Sequence, residues 1–525
     1  METTLSAPSL ITSRPAPASR ISLFLSRHGH QLLALFPFLI VIWVVARYTV
    51  DVPYLDEWDF VPMLDKMYRG ELAFHDLWNQ FSEHRAPFPL LILLGLARLT
   101  HWNTPYNSVV CIVLAVGICL ALTSQIRLTA KALGLRQLRW AVPACSLVVF
   151  SISQFENWLW GWQLALLLSV LAALGAILLL ANPPFRWSRF VGSLLLGFLA
   201  SFSFGNGMLV WPIGFVLLCL IPPRGTVRRV AVCVWSLVAL LSLWLYLRDY
   251  HSPGDHPPLT VALRKPLVFA AYVLKFLGST CAQYGEGGIL PDRVWGLILG
   301  LAGLAVLAWA SWTALQRLSA NRAALAPYFA LCAYSLGTAL LTATARAGFG
   351  PGQAMCSRYC TFTGPLWFSI IVLLMLLSQC YSHAERPPAG EQAAAHPTPS
   401  DALPQTCGAG FPACRFTGLS GPVSQHLAPL HQVLKPKDSG RGPRIARSLL
   451  FAVIAFLALS SGFAIRSAKE HSGNLANGRR FLLALKTNPS PNSAHNELFV
   501  LHASPRLVFE RYPFLLTNHL STFRD

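Results

Sequence analysis

The sequence predicts an all-α polytopic integral membrane protein, and three observations support this prediction. Of the 525 residues, 54% are hydrophobic and only 12% are charged, whereas soluble domains carry roughly 25% charged residues. Several apolar runs are about 17 to 22 residues long, which is enough to cross a bilayer core of about 30 Å. The sequence lacks the alternating apolar pattern that is typical of a membrane β-barrel.

We predict about eleven spanning helices. They lie at 31–50, 105–126, 137–155, 161–181, 188–204, 207–223, 230–247, 294–316, 325–345, 361–380 and 448–466. Two further apolar stretches, 86–100 and 266–285, are ambiguous. If neither crosses, every short cluster of Arg and Lys falls on one side of the membrane, as the positive-inside rule requires. We therefore expect a multi-pass protein of the cell (inner) membrane with a cytoplasmic N-terminus and an outer C-terminus.

The chain is predicted to consist of four parts. Residues 1–30 form a cytoplasmic N-terminal segment, and 31–380 form the transmembrane domain. Within that domain, 51–104 form the first outer loop, in which 86–100 lies on the membrane as an interfacial helix. Residues 381–446 are rich in Pro, Gly, Ala and Ser and are predicted to be a disordered cytoplasmic linker. Residues 447–525 hold the last spanning helix and an outer tail whose apolar pieces are expected to pack against the membrane domain.

The net charge of +19 would suggest a nucleic-acid partner in a soluble protein. Here the basic residues are better explained as topology signals, and membrane lipids, with no nucleic acid, are the expected partners. No phosphate-binding glycine loop with its lysine is present, which argues against an ATP-driven pump. No Cys/His set has zinc-site spacing. An outer disulfide between Cys356 and Cys360 is left open.

The first outer loop is the acidic region of the chain, with eight of its 22 acidic residues between positions 51 and 85. The segment "YLDEWDF" (54–60) places Asp56, Glu57 and Asp59 directly after a spanning helix. Closely spaced carboxylates raise one another's pKa and suit a general base or a cation site; the alternative is a solvated loop. Trp58 is suited to stack on a sugar or to join the interfacial aromatic belt.

Four further polar stretches are expected on the same outer face, at 79–89, 153–163, 201–208 and 344–362. Polar groups at the membrane boundary are costly unless they are paired or used. Their common placement predicts an outward-facing site at that boundary.

Two of these stretches carry candidate substrate contacts. In the first, Arg85 is suited to grip a phosphate in a bidentate way and His84 to donate a hydrogen bond, next to Glu83; anchoring to ordinary lipid headgroups is the alternative. In the second, amides, a carboxylate and indoles are what a sugar pocket uses, and also what a tight turn with aromatic anchors uses. These candidates are Gln154, Glu156, Asn157, Trp160 and Gln163.

The remaining candidates lie later in the chain. Asn206, between Gly205 and Gly207, marks a break between two spans for which a structural role is favoured. Arg346, Arg358 and Tyr359 lie in the last outer loop of the main bundle. Arg358, in "SRY", is the preferred phosphate contact, and snorkelling to bulk headgroups is its alternative.

Taken together, residues 31 to about 380 resemble the C-type membrane glycosyltransferases (GT-C fold), and among them the bacterial members with an acidic first loop. The resemblance is carried by Asp56-Glu57, "EHR" at 83–85, "QFENWLWGWQ" and "SRY" at 357–359. It implies an enzyme that moves a sugar from a polyprenyl-phosphate donor to a glycan, lipid or protein acceptor on the outer face. It further implies that Asp56 is the base, with Glu57 beside it. It leaves a divalent metal, Mg²⁺ or Mn²⁺, open.

The alternative class is a transporter or flippase of a lipid-linked sugar or other amphiphile. Such a carrier places ionisable residues near the middle of its spans. Here they cluster at the ends of the spans, which favours an enzyme. A membrane acyltransferase built on His84 would lack an acidic partner at short fixed spacing, and a purely structural scaffold ranks no higher.

Overall fold

The computed structural model describes residues 20–221, 224–252, 254, 257–283, 291–384, 441–487 and 497–524. In these ranges the regular structure is helical, and the only extended pairing is an isolated bridge between Phe81 and His84. The predicted all-α fold class is confirmed. Most of the predicted linker (385–440) and the first 19 residues of the N-terminal segment lie outside the described residues.

The α-helices are numbered in chain order. They are α1 (Arg20–Tyr48), α2 (Asp56–Arg69), α3 (Phe74–Trp78), α4 (Pro87–Thr100), α5 (Pro105–Leu133), α6 (Ala141–Val149), α7 (Phe155–Leu159), α8 (Leu164–Ala181), α9 (Trp187–Ser201), α10 (Val210–Leu220), α11 (Gly225–Leu247), α12 (Val261–Arg264), α13 (Pro266–Gly278), α14 (Asp292–Arg317), α15 (Ala326–Arg346), α16 (Cys360–Ala384), α17 (Arg441–Ala484) and α18 (Pro505–Thr517).

Nine helical stretches within the described ranges are long and apolar enough to cross a membrane. They are carried by α1, α5, α6 with α7, α8, α11, α14, α15, α16 and α17. The spans predicted at 188–204 and 207–223 correspond to shorter apolar helices, α9 and the Gly205–Leu220 stretch that contains α10. The apolar part of α16 is fully enclosed by its neighbours, whereas α1 and α11 expose many large apolar side chains, as expected for helices that face lipid.

The acidic first loop, 49–104, begins and ends at the same end of the bundle. The backbone N–H and the hydroxyl of Thr104 both donate to Asp51 Oδ1 at 3.0 Å. The start of α5 therefore lies beside the end of α1. It follows that α4, between them, does not cross. We call this side of the molecule the acid end.

The second ambiguous stretch, which forms α13, also stays at the acid end. Arg85 donates to the carbonyl oxygen of Tyr246, which places the end of α11 there. α14 and α15 are joined by a short connection, so α14 starts at the end where α15 finishes. That finish is at the acid end, because Arg346 pairs with Glu83 of the first loop. The end of α11 and the start of α14 therefore lie at the same end of the bundle.

The last long helix, α17, extends well beyond the span predicted at 448–466. Its 44 residues measure about 66 Å at 1.5 Å per residue, roughly twice a bilayer core. Near its middle, Ser460 Oγ lies 2.8 Å from Ser153 Oγ, and Ser461 Oγ accepts from the Ile152 N–H at 2.9 Å. These contacts lie between α6 and α7, near the acid end. The second half of α17 therefore projects past the bundle on that side.

The C-terminal tail folds back onto the acidic loop. The side chains of Leu498, Leu501, Leu515 and Leu520 are fully buried, and α18 packs against α2. At the far end of the tail, Ser521 N–H donates to the carbonyl oxygen of His101 at 3.0 Å. The tail and the first loop thus form one compact layer over the acid end.

Candidate functional site

Asp56 is the first residue of α2 and lies partly buried at the acid end. No hydrogen bond or ion pair joins its carboxylate to another residue in the described ranges. Burial raises the pKa of Asp56 to about 6, with Asp59 and Glu83 adding to the rise and Arg358 and Arg346 opposing it. A carboxylate with a pKa near neutrality and no committed partner is suited to exchange a proton.

Glu57, one residue further on, points into the protein. Its side chain is buried, and Oε2 accepts from the backbone N–H of Tyr54 at 3.0 Å, which holds the start of α2. Burial raises the pKa of Glu57 to about 8, although the Tyr54 hydrogen bond opposes that rise. Glu57 is therefore protonated at neutral pH. The two predicted catalytic carboxyls thus lie in different environments, with Asp56 partly buried and Glu57 fully enclosed by the protein.

Asp59 lies on the outer side of α2 and is held by the tail. Arg511 donates to its Oδ1 at 2.8 Å, and His502 Nε2 lies 3.8 Å from its Oδ2. Burial alone would raise the pKa of Asp59, but these two partners outweigh it and lower the pKa. Asp59 is thus ionised and engaged by its own chain.

The first of two ion pairs beside Asp56 joins Glu83 to Arg346, and both side chains are largely buried. His84 Nε2 lies 3.4 Å from Glu83 Oε1, while its Nδ1 accepts from the N–H of Gly205 at 3.4 Å. These partners assign the Nε2–H tautomer to a neutral His84. The 79–89, 201–208 and 344–362 stretches therefore meet at one point.

The second ion pair joins Glu156 to Arg358. Arg358 donates through its guanidinium to Glu156 Oε1 at 2.9 Å and through its backbone N–H to Oε2 at 3.0 Å. The hydroxyl of Ser357 also donates to Oε2 at 3.0 Å. The guanidinium lies over the rings of Trp160 and Tyr359, at 5.7 and 5.4 Å from their centroids.

Charges from both ion pairs shift the pKa of Asp56: Arg358 and Arg346 lower it, and Glu83 raises it. Asp56, Glu83 and Glu156 supply three carboxyl groups against the two guanidinium groups of Arg346 and Arg358. With Asp56 ionised, this cluster carries one net negative charge, and protonation of Asp56 makes it neutral. The arrangement favours uptake of one proton at Asp56.

Sequence reasoning missed two residues of the site, Tyr54 and His471. The ring of Tyr54 lies 5.2 Å from the rings of both Trp160 and His471. His471 Nε2 is buried without a hydrogen-bond partner among the described residues. Tyr54 adjoins the acidic segment and was therefore within reach of sequence analysis. His471 had no local signal, because it lies beyond the span predicted at 448–466, in the part of α17 that was assigned to the outer tail.

Two predicted substrate contacts lie in the protein framework instead. Trp58 is fully buried, so its ring faces neither a sugar site nor the lipid interface. Arg85 is also buried, and its guanidinium donates to the backbone carbonyls of Trp78 at 2.9 Å and Tyr246 at 2.8 Å, and to that of Arg248. Its donors cap the C-terminal end of α11, where unpaired carbonyls need partners. A phosphate would have to compete with those bonds.

The amides of the 153–163 stretch are largely used inside the protein. Asn157 Nδ2 donates to the Arg358 carbonyl at 3.0 Å and to Thr361 Oγ1 at 2.7 Å, and Gln154 Oε1 accepts from the Thr361 hydroxyl. Both amides are buried, as is Gln163. Gln154 and Asn157 therefore tie α7 to the start of α16. Of the predicted sugar-pocket residues, Glu156 and Trp160 adjoin the ion pairs.

Asn206 is buried, with Nδ2 3.4 Å from Thr342 Oγ1, in the link between α9 and α10. Tyr359 is buried against Phe276, with ring centroids 5.0 Å apart. Cys356 and Cys360 are free thiols, so the disulfide left open between them is not formed.

The carboxyl groups of the site do not form a ligand set for Mg²⁺ or Mn²⁺. Within the described ranges, no group of three Asp, Glu, His or Cys side chains is placed to hold a metal ion. The physical reason is that Glu83 and Glu156 are each paired with an arginine and Asp59 with Arg511. Asp56 has no such partner among the described residues.

No protein-family model matches this chain, and none of the curated proteins matches it. Among solved structures, it is similar to an archaeal oligosaccharyltransferase, AglB from Archaeoglobus fulgidus, at 13% identity and a TM-score of 0.43. That likeness covers 91% of this chain and 60% of the length of AglB.

The chain is also similar to ArnT from Cupriavidus metallidurans, whose structure holds undecaprenyl phosphate, at 12% identity and a TM-score of 0.42. This likeness covers 94% of this chain and 89% of ArnT. Both likenesses concern the arrangement of the helices.

Proposed function

We propose that this chain is a membrane glycosyltransferase that transfers a sugar from a polyprenyl-phosphate donor to an acceptor hydroxyl at the acid end, with Asp56 as the base. One observation carries the proposal. Asp56 is a partly buried carboxyl without a partner among the described residues, its pKa is about 6, and two paired arginines lie beside it. The donor class follows from the family that the sequence resembles, and the acid end then faces the extracytoplasmic side.

In this mechanism Asp56 takes the proton of the acceptor hydroxyl as the acceptor oxygen attacks the anomeric carbon. The bond between that carbon and the phosphate oxygen breaks, and the polyprenyl phosphate leaves with the electron pair. Protonation of Asp56 removes one negative charge from the cluster at the moment when the leaving phosphate adds one. The total charge of the site is therefore kept nearly constant.

Arg358 and Arg346 are the proposed phosphate contacts. Each guanidinium carries five N–H donors, and pairing with one carboxylate leaves donors for a second anion. Their carboxylate partners fix them in place, so the positive charge is oriented before the phosphate departs. Arg85, whose donors cap α11, is assigned to the framework. Glu57, neutral and hydrogen-bonded to Tyr54 N–H, is assigned to holding the start of α2.

Aromatic faces complete the proposed site. The ring centroids of Tyr54 and Trp160 lie 5.2 Å apart beside the Glu156–Arg358 pair. Trp160 is buried, whereas Tyr54 is only partly buried and offers an apolar face of the kind that binds sugar rings. Placement of the ionisable groups at one end of the bundle, rather than at mid-span, favours chemistry at that end over carriage through the bundle.

The test compares membrane vesicles that hold the wild type, Asp56→Asn or Asp65→Asn at matched expression. Asp65 is a matched control, because it lies on the same helix and forms an exposed pair with Arg69. The vesicles receive a panel of polyprenyl-phosphate sugars with a crude lipid and glycan extract, and free polyprenyl phosphate is followed by mass spectrometry. We expect release by the wild type and Asp65→Asn, and loss of at least about a hundredfold in Asp56→Asn.

Full release by Asp56→Asn would reject Asp56 as the base. No release by the wild type from any donor, with the protein correctly inserted, would reject the proposed function and favour lipid translocation, which would be measured next.

A further inference from the structure

The C-terminal tail contacts the first turn of α2 at several points, and one of them adjoins Asp56. The backbone N–H of Leu55 donates to the carbonyl oxygen of Leu501 at 2.7 Å. Leu55 has φ +46°, a conformation that leucine seldom adopts and that needs support from its surroundings. The residue that introduces the proposed base is thus held by a bond from the other end of the chain.

A second contact holds the other side of the same helical turn. Arg511 of α18 donates at once to the Trp58 carbonyl oxygen and to Asp59 Oδ1. His502 adds a contact to Asp59 Oδ2 at 3.8 Å. Asp56 and Asp59 are three positions apart and lie on one face of α2. The tail therefore holds the turn from Leu55 to Asp59 through backbone atoms of Leu55 and Trp58 and through the side chain of Asp59.

A third set of contacts ties the tail to the two ends of the acidic loop. Arg524 pairs with Asp51 at the start of the loop, and Ser521 N–H donates to the His101 carbonyl at its end. Leu501 itself is fully buried and lies against Gly478 of α17, where a Cβ would approach its side chain to 2.6 Å. The projecting half of α17 therefore packs against the tail at Leu501.

We propose that the C-terminal segment 498–524 is a positioning element of the active site, which fixes the first turn of α2 and so aims Asp56 at the acceptor. The inference rests on the proposed function and adds to it a role for the tail that the first loop alone does not supply. Arg511 is its central residue. It is a positioning residue, because it acts on Asp56 through Trp58 and Asp59.

The experiment uses full-length protein with Arg511→Gln, Arg511→Lys or His502→Gln. Arg506→Gln is the matched control, since Arg506 lies on the same helix and makes an exposed pair with Glu510. Two quantities are measured: the kcat and KM for polyprenyl phosphate release, and the hydrogen exchange of peptides that cover residues 54–60. Peptides from α8 report whether the bundle itself stays folded.

We expect Arg511→Gln to lower kcat by at least about tenfold with KM nearly unchanged, because a misplaced base costs turnover rather than binding. Exchange in 54–60 should speed up while α8 stays protected. Arg511→Lys should recover part of both effects, His502→Gln should show a smaller loss of the same kind, and Arg506→Gln should match the wild type.

Equal exchange in 54–60 for Arg511→Gln and Arg506→Gln would overturn the positioning role. If the wild type releases no polyprenyl phosphate, the proposed function fails by itself, and the exchange comparison still decides whether the tail fixes the turn. A variant that inserts poorly is replaced by His502→Gln, which removes the contact to Asp59 and the ring contacts to Ser504 but leaves Arg511 in place.

Discussion

Glu156 and Arg358 are joined at both carboxylate oxygens, with Arg358 N–H and the Ser357 hydroxyl on Oε2 and the guanidinium on Oε1. The pair links α7 to the start of α16 across 202 positions of sequence. It thereby brings a negative and a positive group to the same wall of the site, close to Asp56.

Arg358→Gln should cost both stability and turnover. Removing one partner leaves the Glu156 carboxylate buried and unpaired, which costs roughly 3 kcal/mol. The double variant Glu156→Gln, Arg358→Gln should recover most of that stability, measured by thermal unfolding in detergent, but no turnover. Recovered turnover in the double variant would exclude Arg358 as the phosphate contact.

The pH profile should identify Asp56 as the base. The ionised form is required, so kcat/KM should rise with pH and reach half its plateau near pH 6, the pKa of Asp56. Asp59→Asn removes a nearby negative charge that raises this pKa, so its rising limb should move to lower pH. An unchanged limb in Asp59→Asn would show that the titrating group is not beside Asp59.

Glu57 should make the folded state less stable as pH rises. Its pKa is about 8 when folded and ordinary, near 4.5, when unfolded. The folded state therefore holds more protons between those values, and stability falls across that window by at most roughly 5 kcal/mol. Glu57→Gln should have a flatter melting temperature between pH 5 and pH 9, while Glu71→Gln, exposed on the same loop, should follow the wild type. Parallel curves for Glu57→Gln and the wild type would mean that Glu57 is not buried as a neutral acid.

Gly207 should not tolerate a side chain. A Cβ there would lie 2.1 Å from the backbone oxygen of Ala200, which leaves no room for alanine without a shift of the backbone. Gly207→Ala is therefore expected to destabilise the protein by about 1 to 3 kcal/mol. Gly95→Ala is the control, because a Cβ at Gly95 meets nothing within 4 Å and alanine favours the helix. Similar melting temperatures for both variants would contradict the close packing at Gly207.

The sequence allowed the helices and their common face to be predicted, because apolar length and basic clusters report local hydrophobicity and topology. The meeting of Glu83 with Arg346 and of Glu156 with Arg358 agrees with the expected gathering of the polar stretches at one end. Composition did not show which arginine lies beside Asp56 and which one supports the framework. Arg85 and Arg358 look alike in sequence, yet Arg85 is committed to the carbonyls of α11.

Other features depend on contacts between distant segments. Trp58 and Asp59 are adjacent in an acidic loop, but one is fully buried and the other is exposed and paired with Arg511. His471 reaches Tyr54 because α17 continues to Ala484. The sequence marked only the apolar first half of that helix, since its second half carries the mixed polarity of a surface helix.

The unbroken course of α17 also bears on which mutations the gene for this protein can accept. Each residue of an α-helix adds about 100° of rotation and 1.5 Å of rise. One residue inserted between Ser461, which contacts Ile152, and Gly478, which lies against Leu501, would turn the downstream chain by about 100°. Seven inserted residues would nearly restore the direction but displace it by about 10 Å. Insertions and deletions should therefore be rejected in this interval of the reading frame, even where single substitutions on its exposed side are accepted.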